Sequence, residues 1–271
     1  MNRTSNSKKL TESAIMLAIA TVLSLIKLAD LPYGGSVTIA SMLPVIIISY
    51  RHGIKWGLLT GLADGAMQLI LGINILSYAT TWQAGVAIIM LDYIVAFAVA
   101  GLGGIFKKSA KQPVALTLGA LLTGILRFIC HVISGATVWA GLSIPDSAAL
   151  GYSLSYNATY MIPETIVTML VAYYIGSVLD FGSDTLRYYS PKSEQKLPVI
   201  KWVAGIILAG AVIFDTVMVF SRLQNEESGK FDITGLANVN WTPVIIVSIC
   251  ALCISVILYI LAGKKAKTVA A

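Results

Sequence analysis

The sequence predicts an all-α integral membrane protein in which a six-helix bundle is followed by two additional C-terminal transmembrane helices. The chain has 271 residues, of which 57% are hydrophobic and only 12% are charged. A soluble domain carries about 25% charged residues. Apolar runs of the length needed to span a bilayer as a helix recur along the whole chain.

Eight apolar segments are candidate spans. They lie near 11–29, 39–50, 54–73, 84–106, 113–141, 150–179, 199–221 and 242–263. The second is short, contains Pro44 and follows a Pro-Tyr-Gly-Gly-Ser sequence at 32–36. Part of 30–42 is therefore expected to be an ordered loop packed against protein, since irregular backbone is not tolerated against lipid.

Basic residues alternate between the connections as a helical bundle requires. They occur in the N-terminal segment, around 51–55, 107–111 and 187–201, and at 264–267, whereas the connections around 30–38, 74–83 and 142–149 contain none. By the positive-inside rule, both termini face the cytoplasm. The net charge of +6 thus reflects topology in the lipid bilayer, and no nucleic acid partner is expected.

The composition divides the chain into three parts. Residues 182–198 are polar and are predicted to form a cytoplasmic linker between a six-helix domain at 1–181 and a two-helix extension at 199–271. No phosphate loop, zinc signature or serine–histidine–aspartate arrangement occurs in the sequence. The chain is therefore expected to be neither an enzyme nor a metal or cofactor protein.

The fifth span carries an unusual polar stripe, because Arg127, His131, Gly135 and Trp139 follow one another at intervals of four residues. This spacing keeps side chains near one face of a helix. Ionisable residues within a span usually turn toward a cavity, so the stripe is interpreted as the wall of a binding site. The alternative is structural, with Arg127 at an interface, His131 bonded to a neighbouring helix and Trp139 in an aromatic belt.

Asp92, followed by Tyr93, lies inside the fourth span. A lone carboxylate there costs about 2.5–3.5 kcal/mol, so it needs a partner. His131, Arg127 and a cationic substrate are the candidates, and pairing with Arg127 alone would make Asp92 structural. Asp64 in the third span is a further acid that either lines the site or bonds a helix neighbour.

The sixth span begins with Tyr152, Tyr156 and Tyr160 at intervals of four, with Asn157 beside them. Tyrosine and asparagine can hydrogen-bond a heteroaromatic ring while an aromatic face stacks on it. An outer-interface tyrosine belt is the alternative. In the first span, Ala14 and Ala18 form a small-xxx-small pair that permits close approach of another helix.

Together these residues resemble the thiamine-specific substrate-binding subunit of energy-coupling factor transporters. The resemblance covers roughly residues 10–180 in order. The segments that carry it are 34–39, Pro44, 51–57, 91–97, Arg127-Phe128, His131, Gly135, Trp139 and 152–164. It implies a six-helix bundle that binds a vitamin near the outer face and works with a transmembrane coupling subunit and two cytoplasmic ATPase subunits.

The resemblance also implies roles for individual residues. Asp92 would be the binding carboxylate with Tyr93 beside it, and His131, Gly135 and Trp139 would supply a histidine, a close-approach glycine and a stacking ring. Tyr152 and Asn157 would contact the pyrimidine, and Ala14 with Ala18 would face the coupling subunit. Thiamine fits this chemistry because a carboxylate and aromatic faces attract its permanently cationic thiazolium.

Two other functions compete with this interpretation. One is an autonomous secondary transporter of a small cationic or heteroaromatic solute, driven by protons through Asp64, Asp92 and His131. The other is an integral-membrane enzyme that uses His131 with a carboxylate. Dependence of uptake on separate ATPase subunits would distinguish the first interpretation from both.

Overall fold

The computed structural model describes residues 5–141, 146–188, 199–222 and 233–269. The chain divides into two compact units, residues 1–189 and 190–271. Helices dominate both units, and four helical runs of the described residues are long and apolar enough to cross a membrane. These are Trp82–Lys108, Gln112–Val138, Ala148–Val178 and Trp241–Leu258.

The first unit consists of helical rods and two short hairpins. Its helices are α1 (Asn6–Leu25), α2 (Leu43–His52), α3 (Ile54–Leu71), α4 (Trp82–Ala87), α5 (Ala96–Ala98), α6 (Gln112–Gly141) and α7 (Asp146–Val178). A π-helical segment (Ile88–Val95) joins α4 to α5, and a 3-10 segment (Val99–Lys108) follows α5. Together they form one continuous helical rod, here called the fourth rod (Trp82–Lys108). The strands are β1 (Lys27–Asp30), β2 (Ser36–Thr38), β3 (Leu179–Asp180) and β4 (Arg187–Tyr188).

The loop expected within 30–42 is a β-hairpin. Strand β1 pairs antiparallel with β2, with Lys27 opposite Thr38 and Asp30 opposite Ser36. The first helix consequently ends at Leu25 rather than near residue 29, because Ile26 is already extended. Helix α2 begins at Leu43 with Pro44 in its first turn, where proline costs no helical hydrogen bond.

Close packing of α3 on the fourth rod places the backbone around Asp92. A Cβ on Gly61 would lie 2.5 Å from the carbonyl oxygen of Phe97, and one on Gly65 would lie 2.5 Å from that of Tyr93. Only glycine permits such an approach, as in other small-residue helix contacts. The glycine repeat of α3 therefore brings the π-helical segment directly against this helix.

The apolar core lies where α2, α6 and α7 meet. Its buried side chains include Ile46, Leu116 and Ala172. At one end of this core, the Arg51 guanidinium donates to both Glu12 carboxylate oxygens at 2.8 and 3.0 Å. Arg51 also donates to the Phe181 carbonyl oxygen at 3.2 Å, so it ties α1 to the segment that follows α7.

The second unit is a helix pair of α8 (Val199–Phe220) and α9 (Trp241–Val269). Ser255 donates to the Ala204 carbonyl oxygen at 2.9 Å, and Ser248 donates to Asp215 Oδ2 at 2.5 Å. The first residues of the predicted 182–198 linker contribute β4, and residues 189–198 lie outside the described ranges. The domain boundaries given above stay a prediction.

Candidate functional site

Asp92 is the centre of the polar cluster in the first unit. It lies in the π-helical segment of the fourth rod, a distortion that occurs often at functional sites. His131 Nδ1 lies 2.8 Å from Asp92 Oδ1, and Ser134 Oγ donates to Asp92 Oδ2 at 2.7 Å. The Asp92 side chain keeps 22% of its surface exposed, so it is not completely enclosed by the protein.

Of the two intramolecular partners suggested by the sequence, the structure pairs Asp92 with His131. Arg127 lies one turn away on α6, is buried, and places its guanidinium 4.5 Å from the ring centroid of Phe97. The acids that act electrostatically on Arg127 are Glu164 and Asp64. The possibility that Asp92 serves only as a counter-ion to Arg127 therefore loses its basis.

Asn157 joins α7 to the histidine through hydrogen bonds of its amide. Its Nδ2 donates to the His131 carbonyl oxygen at 3.2 Å and to the Ser153 carbonyl oxygen at 2.8 Å. Its Oδ1 accepts from the Tyr160 hydroxyl at 2.5 Å. Both amide hydrogens are thus occupied, whereas the oxygen retains a second lone pair. Towards a ligand, Asn157 can act as an acceptor.

Gly135 lets α6 and α7 approach each other at this level. A Cβ there would lie 2.4 Å from Ser153 Oγ and 3.1 Å from Asn157 Nδ2. Ser153 in turn donates to the Val132 carbonyl oxygen at 2.7 Å. The close approach expected of this glycine is therefore an approach between two helices that carry site residues.

The remaining predicted ligand-binding residues are Tyr93, Tyr152 and Trp139. Tyr93 follows Asp92 in the chain, but its hydroxyl donates to the Gly72 carbonyl oxygen at 3.2 Å, at the end of α3. Tyr152 is half-buried in the second turn of α7. Trp139 belongs to α6 one turn beyond Gly135, and its side chain lies outside the described part of the structure.

Two tyrosines of the α7 stripe, Tyr156 and Tyr160, pack inside the protein and not in an outer belt. Tyr156 and Tyr160 are buried, and their rings meet edge to face with centroids 5.6 Å apart. The Tyr156 hydroxyl accepts from the Gly35 amide at 2.9 Å, so the stripe contacts the β1–β2 hairpin. Tyr160 reaches the site through Asn157, as described above.

A second contact fixes the same hairpin, and it involves residues that sequence reasoning missed. Glu164 is buried on α7 and accepts hydrogen bonds from the Thr38 amide at 2.5 Å and from the Thr38 hydroxyl at 2.7 Å.

Ser134 was also missed by sequence reasoning as a partner of Asp92. Its position three residues after His131 on the same helix face was the available signal.

Asp64 is buried in α3, one turn before Gln68 of the same helix. Gln68 donates to Ser24 Oγ of α1 at 3.0 Å. No partner of Asp64 Oδ1 occurs among the described residues. Both roles considered for Asp64, lining the site and bonding a helix neighbour, stay predictions.

Ala14 and Ala18 are both exposed on α1. The helix packs through a different face, on which Ser13 and Ala20 are buried. Ser13 Oγ accepts from the Trp56 indole nitrogen at 2.7 Å. The alanine pair is thus not used for packing within the described part of the chain.

Comparison with known proteins agrees with this architecture. Residues 10–180 match the family described as "Thiamine transporter protein (Thia_YuaJ)". The chain is 37% identical to "Thiamine transporter ThiT" of Bacillus subtilis (strain 168) over 183 residues, which are 63% of this chain and 91% of the relative. A solved structure of ThiT from Listeria monocytogenes aligns with a TM-score of 0.51 at 21% identity, covering 62% of this chain and 92% of that one.

These matches confirm the all-α membrane fold and the resemblance predicted from the residues. Both aligned proteins are covered almost completely by part of this chain, and the family match ends at residue 180. The protein is accordingly a multi-pass membrane transport protein and not an enzyme. The chain belongs to the thiamine transporter protein family.

Proposed function

We propose that this chain is the thiamine-binding subunit of an ATP-driven energy-coupling factor transporter, with Asp92 as the carboxylate that receives the thiazolium. One observation carries the proposal. Asp92 is largely buried and bonded to His131 and Ser134, and no lysine or arginine of the described ranges forms an ion pair with it. A largely buried carboxylate whose protein partners carry no fixed charge suits a ligand with a fixed positive charge.

The neighbouring groups can recognise the aminopyrimidine. The free lone pair of Asn157 Oδ1 can accept from the exocyclic amino group of the ligand. If His131 donates through Nδ1 to the Asp92 carboxylate, its Nε2 is a second acceptor. Trp139, one turn past Gly135, supplies a ring for stacking, and Tyr152 supplies a hydroxyl. Tyr93 supports the segment that carries Asp92.

ATP-driven transport by this chain would require partners, because the sequence contains no nucleotide-binding motif. We propose a transmembrane coupling subunit and two cytoplasmic ATPase subunits, with the exposed Ala14 and Ala18 of α1 as the docking face for the coupling subunit. The alternation of basic connections supports a cytoplasmic location for both termini. The pocket then lies in the outer half of the membrane, opposite the ATPases.

The alternative is an autonomous proton-coupled transporter, and membership of the thiamine transporter protein family favours the binding subunit over it. The two candidates differ in their energy source, since a binding subunit moves solute only with the ATPases present.

Two measurements test the proposal. The detergent-extracted protein is denatured and the released small molecules are identified by mass spectrometry, with thiamine as the expected ligand. Uptake of labelled thiamine into vesicles is then measured with and without the coupling and ATPase subunits. Uptake only in the presence of ATP and these subunits supports the proposal, and uptake by the isolated chain down a proton gradient contradicts it.

A further inference from the structure

Ser134 is bonded differently from the threonine hydroxyl groups of its helix. Thr117 and Thr123 of α6 donate to carbonyl oxygens of their own helix, Pro113 and Ala120, the usual solution for serine and threonine in a helix. Ser134 is fully buried, yet it donates across the helix interface to Asp92 of the fourth rod. Its hydroxyl is therefore committed to the carboxylate and not to α6.

Ser134 and His131 together hold both oxygens of one carboxylate from a single helix face. His131 lies 2.8 Å from Oδ1 and Ser134 lies 2.7 Å from Oδ2, and the two residues are one helical turn apart. Two donors on one rigid helix fix the plane of the carboxylate. Each oxygen accepts more than one hydrogen bond, so this arrangement leaves acceptor capacity on both oxygens.

We propose that Ser134 is a positioning residue that sets the affinity for cationic ligands by orienting Asp92 and stabilising its negative charge. This inference rests on the proposed function, because it assumes that Asp92 receives the thiazolium. A hydrogen bond to an ionised acceptor, such as that from Ser134 to the Asp92 carboxylate, is stronger than one between neutral groups. Without it, Asp92 keeps only the His131 contact and can turn away from the ligand.

The inference predicts an effect on charge selectivity and not only on affinity. In Ser134→Ala, the dissociation constant for thiamine should rise about tenfold, as expected for loss of one charge-assisted hydrogen bond. The neutral isostere of thiamine, in which a thiophene replaces the thiazolium, should lose less than about threefold, because its ring has no charge for Asp92 to attract. A purely structural role would weaken both ligands equally.

The test is isothermal titration calorimetry on the full chain, with both ligands and a double-mutant cycle. Ser134→Ala is measured alone and in the Asp92→Asn background, where it should change the dissociation constant for thiamine less than about twofold. Thr117→Val is the matched control, since it removes a hydroxyl from the same helix without touching Asp92. It should leave binding of both ligands unchanged.

Ser134→Cys, a variant of similar side-chain volume, controls for misfolding. Ser134→Cys keeps the size of the side chain with a weaker donor, and its affinity for thiamine should lie between those of the wild type and Ser134→Ala. Equal losses for the charged and neutral ligands, or additive losses with Asp92→Asn, would overturn the inference. Failure of the wild type to bind thiamine would instead contradict the proposed function and is a separate outcome.

Discussion

The carboxylate of Asp92 and the imidazole of His131 lie 2.8 Å apart across the interface between the fourth rod and α6. This contact connects two polar features that are 39 residues apart in the sequence. It also explains how an acid is accommodated within an apolar span without a lysine or arginine partner.

Gly135→Ala should weaken both the fold and thiamine binding. The added Cβ would lie 2.4 Å from Ser153 Oγ, so α6 and α7 must separate or Ser153 must turn. Overpacking of this kind costs about 1–3 kcal/mol. A lower melting temperature and a raised dissociation constant are expected in thermal unfolding and calorimetry.

The matched control is Gly151→Ala on α7, because a Cβ there meets nothing within 4 Å. This variant should behave as the wild type in both assays. Equal stability and affinity for Gly135→Ala and Gly151→Ala would show that the approach of α6 to α7 at Gly135 is not needed.

Glu164→Gln should loosen the β1–β2 hairpin. The carboxylate accepts from both the amide and the hydroxyl of Thr38, and a carboxamide can present only one acceptor oxygen to these donors. Loss of a hydrogen bond to a buried charged group costs about 1.5–3 kcal/mol. We expect faster exchange of the Thr38 amide with solvent deuterium and faster dissociation of thiamine in stopped-flow measurements.

Thr38→Val distinguishes the two hydrogen bonds that Glu164 accepts. It removes the bond from the Thr38 hydroxyl and retains the bond from the backbone amide. It should give a smaller effect than Glu164→Gln in both measurements. Unchanged exchange and dissociation in Glu164→Gln would mean that the hairpin is held by the Gly35–Tyr156 contact alone.

Replacing both Ala14 and Ala18 by tryptophan should abolish ATP-driven uptake and co-purification with the coupling subunit. The two side chains are exposed and one helical turn apart, so bulky rings would hold off a partner helix. Thiamine binding should survive, because every residue assigned to the pocket lies on other helices. Retained calorimetric affinity shows that the variant is folded.

Tryptophan at Ile15 and Ile19 provides the control for this experiment. These residues have the same spacing on the same helix and are 55% and 42% exposed, but they face a different direction. Their replacement should leave uptake intact. Wild-type uptake by the Ala14/Ala18 variant would exclude this face as the docking site.

The helix pair α8–α9 should be dispensable for binding. All proposed ligand contacts precede residue 180, where the family match also ends. A chain ending at Gln195 should bind thiamine with the affinity of the full-length protein in calorimetry. A shortened chain that folds, as judged by circular dichroism, but does not bind would show that the pocket has been misplaced.

The sequence predicted the helical framework because bilayer length and hydropathy determine it. Each predicted span overlaps an observed helix, including the short second one, in which Pro44 lies in the first turn. The pairing of Asp92 with His131 was among the alternatives that the rarity of charges inside spans left open. Arg127 could not be excluded as the partner, because both residues lie on the face of α6 that meets the fourth rod, and the position of α6 along its axis decides which of them lies beside Asp92.

Other features depend on packing that a single sequence does not encode locally. The π-helical turn at Asp92 has no residue signature within an apolar run. The link from Glu164 to Thr38 joins residues 126 positions apart, and the role of Ser134 depends on which face of α6 meets the fourth rod. Such contacts follow from the tertiary arrangement of helices and not from the periodicity of any one of them.

Calorimetric titration of Asp92→Asn with thiamine tests the central claim most directly. Truncating one partner of a desolvated charge pair costs about 2–5 kcal/mol, so the affinity for thiamine should fall at least about tenfold while the protein stays inserted and folded. Asp215→Asn, which changes an acid of the α8–α9 pair, is the control and should bind as the wild type. An Asp92→Asn protein with unchanged affinity for thiamine would contradict the account.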